Sequence, residues 1–161
     1  MVVIVMGVSG AGKTTVGSSL AEALGWRFLD ADDLHPVPNK VKMAQGVPLT
    51  DEDRWPWLWM LSGVIGEALR QGDGLVVACS ALKEAYRKVL EVDAARVRFV
   101  YLDASRELLA SRLSQRHGHF MPPSLLDSQL ATLEVPDSAL RVDVTPPVKE
   151  VVARIREGLG L

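Results

Sequence analysis

Cysteine is nearly absent from this chain: Cys79 is the only one in 161 residues. A lone thiol closes no intrachain disulfide, which places the expected site of action in a reducing compartment, the cytoplasm. Preceded by the apolar run Leu75 to Ala78, it reads as a buried strand thiol rather than a nucleophile. Long hydrophobic runs are missing as well. No stretch approaches the ~18 apolar residues of a membrane span, and the opening Met1 to Met6 is too short, with no basic flank, to be a signal peptide. Neither sign of charge dominates: 18 basic and 20 acidic residues leave a net charge of −2, which gives no electrostatic case for nucleic acid or an anionic membrane as partner. There is no internal repeat, low-complexity tract or linker, so residues 1–161 read as a single domain. Histidine is scarce too. His117-Gly118-His119 has no third ligand at a suitable spacing, and a zinc site is not expected.

What is present is alternation. Val2 to Met6 is continuous and β-branched, as a buried strand should be. A helix is expected from about Lys13, with Val16, Leu20 and Leu24 on one face and Gly25 as its stop. Trp26 to Asp30, Leu75 to Cys79, Val97 to Leu102 and Val142 to Val144 read as further strands. Between and after them come helical periods: a long one carrying Trp57, Leu58, Leu61, Ile65 and Leu69 with Pro56 near its start, then about Lys83 to Leu90, a helix capped by Ser105, and a last one from Val148 to Leu159. The pattern predicts an α/β fold, a parallel five-stranded sheet with helices on both faces. Trp55, Trp57 and Trp59 are expected to pack in the core or against a partner helix rather than to stack on a ligand. Two stretches are expected to be irregular, 36–50 with a short helix around Asn39 to Gln45, and 117–137. Loops of that length are commonly functional lids.

The most specific signal is Gly7-Val8-Ser9-Gly10-Ala11-Gly12-Lys13-Thr14, which meets the Walker A pattern at every required position and sits between a strand and a helix. Glycines let successive backbone N–H groups turn inward on phosphate oxygens, and the following helix adds the positive end of its dipole. Gly7, Ser9, Gly10, Ala11, Gly12, Lys13, Thr14 and Thr15 are the expected nucleotide contacts, with Lys13 at the β- and γ-phosphates and the Thr14 hydroxyl on Mg²⁺. The only Asn-Lys pair, Asn39-Lys40, is followed by Val41-Lys42 rather than x-Asp, so a GTPase is not indicated. A small ATP-dependent kinase fits the length, and it needs a proton acceptor and a lid. Asp30-Ala31-Asp32-Asp33 lies just past the second strand, where ligands gather at the carboxyl edge of a parallel sheet. In an extended backbone Asp30 and Asp32 would point the same way, one serving the metal and the other taking the acceptor's proton. Arg112 and Arg116, four apart, share a helix face ahead of the second irregular stretch and can clamp ATP phosphates or stack on adenine. Read from residues alone, Phe99-Val100-Tyr101-Leu102-Asp103 is the best Walker B text, which favours Asp103 over Asp30 for Mg²⁺.

Further blocks carry a family resemblance: Leu34-His35-Pro36, Gly46-Val47-Pro48-Leu49-Thr50-Asp51-Glu52-Asp53-Arg54, Cys79-Ser80-Ala81-Leu82-Lys83 with Tyr86-Arg87, Gly118-His119-Phe120, Gln129 and Thr132-Leu133-Glu134. With the Walker A text they make the chain resemble the gluconokinases, small P-loop kinases related to shikimate and nucleoside monophosphate kinases. The resemblance implies that family's three-layer α/β/α fold, with a substrate-binding segment at about 36–62 and a lid at about 115–135. It implies transfer of the γ-phosphate of ATP to the 6-hydroxyl of D-gluconate, and a homodimer. It implies Asp30 on the Mg²⁺ shell, Asp32 at the acceptor hydroxyl, Arg54 on the carboxylate, and His35, Lys83 and Arg87 as polyol or phosphate contacts. Arg116 is then the lid arginine on the phosphates and Arg112 the one near adenine. Met121-Pro122-Pro123 should stiffen the lid. A kinase of another small acceptor, shikimate or a nucleotide, and a non-catalytic nucleotide-binding module are the competing readings.

Overall fold

The structure, a computed structural model, describes residues 1–115 and 123–161. Five parallel strands, β1 (Val2–Met6), β2 (Arg27–Asp30), β3 (Leu75–Ala78), β4 (Val97–Asp103) and β5 (Leu140–Asp143), form one sheet in the order β2-β3-β1-β4-β5. The central β1 is fully buried, and its pleat splits it between two cores. Val3 and Val5 turn to one side, where Val16 and Leu20 of α1 (Lys13–Leu24), Leu109 of α5 (Arg106–Ser114) and Val151 and Ile155 of α7 (Val148–Leu159) cover them. Val2, Ile4 and Met6 turn to the other side, against Trp57, Leu58, Leu61 and Ile65 of α3 (Asp51–Gln71) and Tyr86 of α4 (Glu84–Leu90). Each such buried aliphatic side chain contributes roughly 1.5–3 kcal/mol. Covering both faces is what lets parallel strands be apolar throughout. No described helix is long and apolar enough to cross a membrane.

Four expectations need correcting. The long helix starts at Asp51, not beside Trp57, because Thr50 and Asp53 close a capping box: the Thr50 hydroxyl accepts from the Asp53 N–H at 3.2 Å, and the Asp53 carboxylate accepts from the Thr50 N–H at 2.9 Å. Pro56 is therefore the sixth residue of the helix. It withholds one N–H from the carbonyl of Glu52, an exposed residue that water can satisfy. The short helix in the first irregular stretch, α2 (Val37–Ala44), begins two residues earlier than expected. Residues 117–137 are not irregular throughout, since they hold α6 (Pro123–Thr132). Pro123 occupies the first helical position, where a missing N–H does no harm, and Leu126 and Leu130 turn into the first core. Finally, Asp32 does not continue an extended strand. It sits in a 3₁₀ turn, Ala31–Leu34, whose N-terminus Asp30 caps by accepting from the Asp32 N–H at 3.0 Å.

Candidate active site

The loop between β1 and α1 supplies the first half of the site. Gly10 and Gly12 adopt φ of 89° and 93°, a region L side chains rarely enter. A Cβ on Gly10 would also meet Leu113 Cγ at 3.2 Å and the Leu109 carbonyl at 3.3 Å, so α5 backs the loop closely. The Lys13 ammonium folds back across the turn and donates to the Val8 carbonyl at 3.1 Å. Gln129 of α6 grips Ser9 twice: its Oε1 accepts from the Ser9 N–H at 2.8 Å, and its Nε2 donates to Ser9 Oγ at 3.1 Å. Apart from the family text, nothing in the sequence marked Gln129, because its partner lies 120 positions away.

The Thr14 hydroxyl, in the first turn of α1, donates to Asp30 Oδ2 at 3.1 Å. A hydroxyl and a carboxylate beside a phosphate cradle form the hard oxygen set Mg²⁺ prefers, and that ion usually completes its shell with water and substrate phosphate rather than a protein cage. The described residues contain no cluster of three or more His, Cys, Asp or Glu side chains that could hold a metal ion. Asp103, the other candidate, accepts from Arg141 Nε at 2.8 Å in an ion pair.

Two cavities flank the loop. The smaller, about 200 Å³, is lined by Gly12, Thr15, Arg112, Val144, Pro146 and Val148. Arg112 is anchored there by its Nη2 donating to the Val144 carbonyl at 2.8 Å and its Nη1 to the Ala11 carbonyl at 3.4 Å. Its flat guanidinium beside an apolar wall is suited to a nucleobase face.

The larger cavity, about 530 Å³, brings Ser9 and Lys13 together with Asp32, His35, Arg54, Trp57 and Gln129. That volume suits a small metabolite. The Asp32 side chain keeps 55% of its surface accessible, yet it stands in a concave mouth. Burial there raises its pKa, the Lys13 charge opposes the rise, and Asp30 and Asp33 add to it. A carboxylate made more basic this way suits proton abstraction better than an ordinary one.

His35 is 6% exposed and stacks on Trp57, with ring centroids 4.0 Å apart. Trp57 is itself pinned by its Nε1 donating to the Ala31 carbonyl at 2.7 Å. Burial, aided by the Arg54 and Lys40 charges, pushes the His35 pKa down to about 4, so the ring is neutral. Trp57, expected as core, is both core and cavity wall. Arg54 reaches the cavity from the first turns of α3, its Nη1 donating to the Tyr86 hydroxyl at 2.9 Å. Tyr86 in turn donates to Asp51.

Two expected substrate contacts lie elsewhere. Lys83 Nζ donates to Asp51 Oδ1 at 3.1 Å, supporting the Asp51–Tyr86–Arg54 chain from outside the cavity. Arg87, 7% exposed, gives its two terminal nitrogens to the carbonyls of Ala81 and Glu134, at 2.8 and 2.9 Å. It ties the loop after β3, where Ala81 takes φ of 44°, to the chain leaving α6. Arg116, the His117–His119 pair and the Met121–Pro122 part of the lid fall outside the described residues. Cys79 is buried, its thiol pushed up to about 12 chiefly by burial, as an inert core group.

The chain is also similar to known proteins. A family profile described as an AAA domain matches residues 2–136. A probable gluconokinase of Xenopus tropicalis is 47% identical, the match covering 96% of this chain and 91% of that one. The gluconokinase of Gluconobacter oxydans is 55% identical over 83% of this chain and 75% of its own. The crystal structure of a gluconokinase from Sinorhizobium meliloti superposes with a TM-score of 0.82 at 47% identity, covering 98% of this chain and 94% of that one.

Proposed function

The chain belongs to the gluconokinase family of P-loop kinases, and from that premise we propose how its residues carry the γ-phosphate of ATP to the 6-hydroxyl of D-gluconate. The observation that carries the reading is the single cavity in which the Lys13 of the phosphate loop meets a carboxylate of raised pKa, Asp32, and an arginine, Arg54.

Arg54 holds the gluconate carboxylate through its planar fork, leaving the far end of the six-carbon chain, the 6-hydroxyl, for Asp32. Asp32 takes the hydroxyl proton as O6 attacks. The bond from Pγ to the bridging oxygen breaks, the Pγ–O6 bond forms, and ADP leaves with the bridging oxygen. Lys13 and backbone amides of the loop stabilise charge on the transferring group, as does Arg116 of the lid segment. Arg112 and Thr15 line the side cavity for adenine. Thr14 and Asp30 would hold Mg²⁺, which when bound neutralises phosphate charge. Residues 36–62 and α6 close over the acceptor and exclude water, which would otherwise take the phosphoryl group. We place the enzyme in the cytoplasm, in keeping with its single buried thiol, and as a homodimer, for which the exposed Trp59 and Met60 of α3 offer an apolar contact.

The test is direct. With protein and Mg²⁺ATP, ADP release is measured with gluconate, shikimate or AMP added separately. Gluconate should raise turnover well above the acceptor-free rate and yield 6-phosphogluconate. If shikimate or AMP does so and gluconate does not, the acceptor is misassigned.

A further inference from the structure

Asn39, on α2, is 3% exposed. Its Nδ2 lies 2.8 Å from the Asp53 carbonyl oxygen and 3.1 Å from His35 Nδ1. A carbonyl oxygen only accepts, so the atom facing Asp53 must be the amide nitrogen, and this fixes which way the side chain is turned. That same nitrogen only donates. His35 Nδ1 is therefore the acceptor and carries no proton, and in a neutral imidazole the proton is then on Nε2. Nε2 lies 3.7 Å from Asp32 Oδ1, too far for a hydrogen bond, and both side chains line the acceptor cavity. The ring cannot easily turn over, because it is stacked on Trp57 with an interplanar angle of 19°.

From this geometry we infer that Asn39 is a positioning residue that locks His35 in the Nε2–H tautomer, making His35 a neutral hydrogen-bond donor to the acceptor hydroxyl. The inference rests on the kinase reading for its acceptor, and it goes beyond that reading in assigning the proton. With Nε2–H as donor, a hydroxyl lodged beside both groups accepts from His35 and has its own proton free for Asp32. With the other tautomer, Nε2 would accept that proton's hydrogen bond and compete with Asp32 for it. The charged groups around the ring are Asp32 on the Nε2 side, Arg54 from α3 and Lys40 from α2. Protonating Nδ1 would also set its N–H against the amide hydrogens of Asn39. The loop connecting these residues is economical: Asp53, whose carbonyl orients Asn39, is the same residue whose carboxylate closes the cap of α3, one position before Arg54. Cap, arginine and imidazole are thus set by one cluster.

The tautomer can be read in the full-length protein without any substrate, so its failure is distinguishable from a wrong acceptor. Long-range ¹H–¹⁵N spectra of the imidazoles at pH 7, with His35 assigned by its loss in His35→Phe, should show Nε2 protonated and Nδ1 bare. A proton on Nδ1, or on both nitrogens, overturns the inference. Asn39→Asp then places a carboxylate where it accepts from Nδ1–H, inverting the tautomer or charging the ring. The gluconate-dependent kcat should fall about tenfold or more, the scale of one hydrogen bond to a developing charge, while the KM for ATP stays within about twofold. A merely structural Asn39 would lower the melting temperature and leave the tautomer unchanged. If Asn39→Asp keeps Nε2–H and the wild-type rate, or inverts the tautomer without changing the rate, the positioning role is wrong. If that variant does not fold, the wild-type spectrum alone decides the tautomer, and kcat of His35→Phe, which keeps a ring against Trp57 but no donor, decides its use: an undiminished kcat overturns it.

Discussion

At the residue scale, two carboxylates two positions apart take different tasks because the backbone between them changes. Asp30 ends β2 and turns to Thr14, while Asp32 in the following 3₁₀ turn faces the cavity with Lys13. If Asp32 is the proton acceptor, Asp32→Asn should lower kcat by roughly 10²–10⁴, the usual range for a general base. The amide is isosteric, so the KM for ATP should move far less than kcat. Steady-state kinetics with gluconate checks both, and a near-normal kcat would pass the role to Asp30 or Asp33. The residues of the phosphate loop were legible in the sequence because a local motif states both their identity and their spacing. The reach of long side chains was not. Lys83 and Arg87 are polar residues in family text, but whether they meet a substrate or another protein group depends on Asp51 and on the carbonyls of Ala81 and Glu134, which the fold brings to them. Gln129 stayed obscure because its partner lies 120 positions away, and the bond between Asn39 and His35 because a spacing of four permits it and does not require it.

At the element scale, the first turn of α3 positions the acceptor's arginine. Periodicity located the apolar body of that helix correctly, since Trp57, Leu58, Leu61 and Ile65 are all buried. Its true start lay in four polar residues, Thr50 to Asp53, whose pattern is a capping signature with Asp in place of the commoner Glu. Pro56, read as lying near the helix start, is the sixth residue of the helix, and α6 lies within the stretch 117–137 that was expected to be irregular. Because the cap fixes the turn from which Arg54 projects, Thr50→Ala should act on stability and on substrate together. Loss of an N-cap hydroxyl costs about 1 kcal/mol, measurable as a lower urea midpoint with an unchanged slope. The same variant should raise the KM for gluconate more than the KM for ATP, since the phosphate loop is held by β1, α1 and α5. Equal effects on both KM values would mean that the cap does not position Arg54.

At the scale of the whole molecule, stability and chemistry meet in a neutral imidazole. Folding buries His35 and holds its pKa at about 4, whereas in the unfolded chain it is near 6.5. Between those values the unfolded state binds a proton that the folded state refuses, so stability must fall as pH drops from about 6.5 to about 4, and level off below. The carboxylates act in a different window. Asp53, brought down to about 2 chiefly by the Lys42 hydrogen bond and the Thr50 N–H, contributes stability above its unfolded value of 3.8 that is lost only as pH falls towards 2. The two limbs are therefore separable. Urea unfolding of wild type and His35→Phe from pH 7.5 to 4.5 should give a free-energy difference that changes across the upper window, with the variant's profile flatter there. Parallel profiles would show that His35 takes up its proton in the folded protein as readily as in the unfolded one. The fold would then have to supply a charge partner for an imidazolium, and the carboxylate that faces the ring among the described residues is Asp32. An ion pair there would hold Asp32 as a weaker base, which is the opposite of what phosphoryl transfer to a hydroxyl requires. The acid stability of the whole chain thus reports on the protonation state that its acceptor cavity depends on.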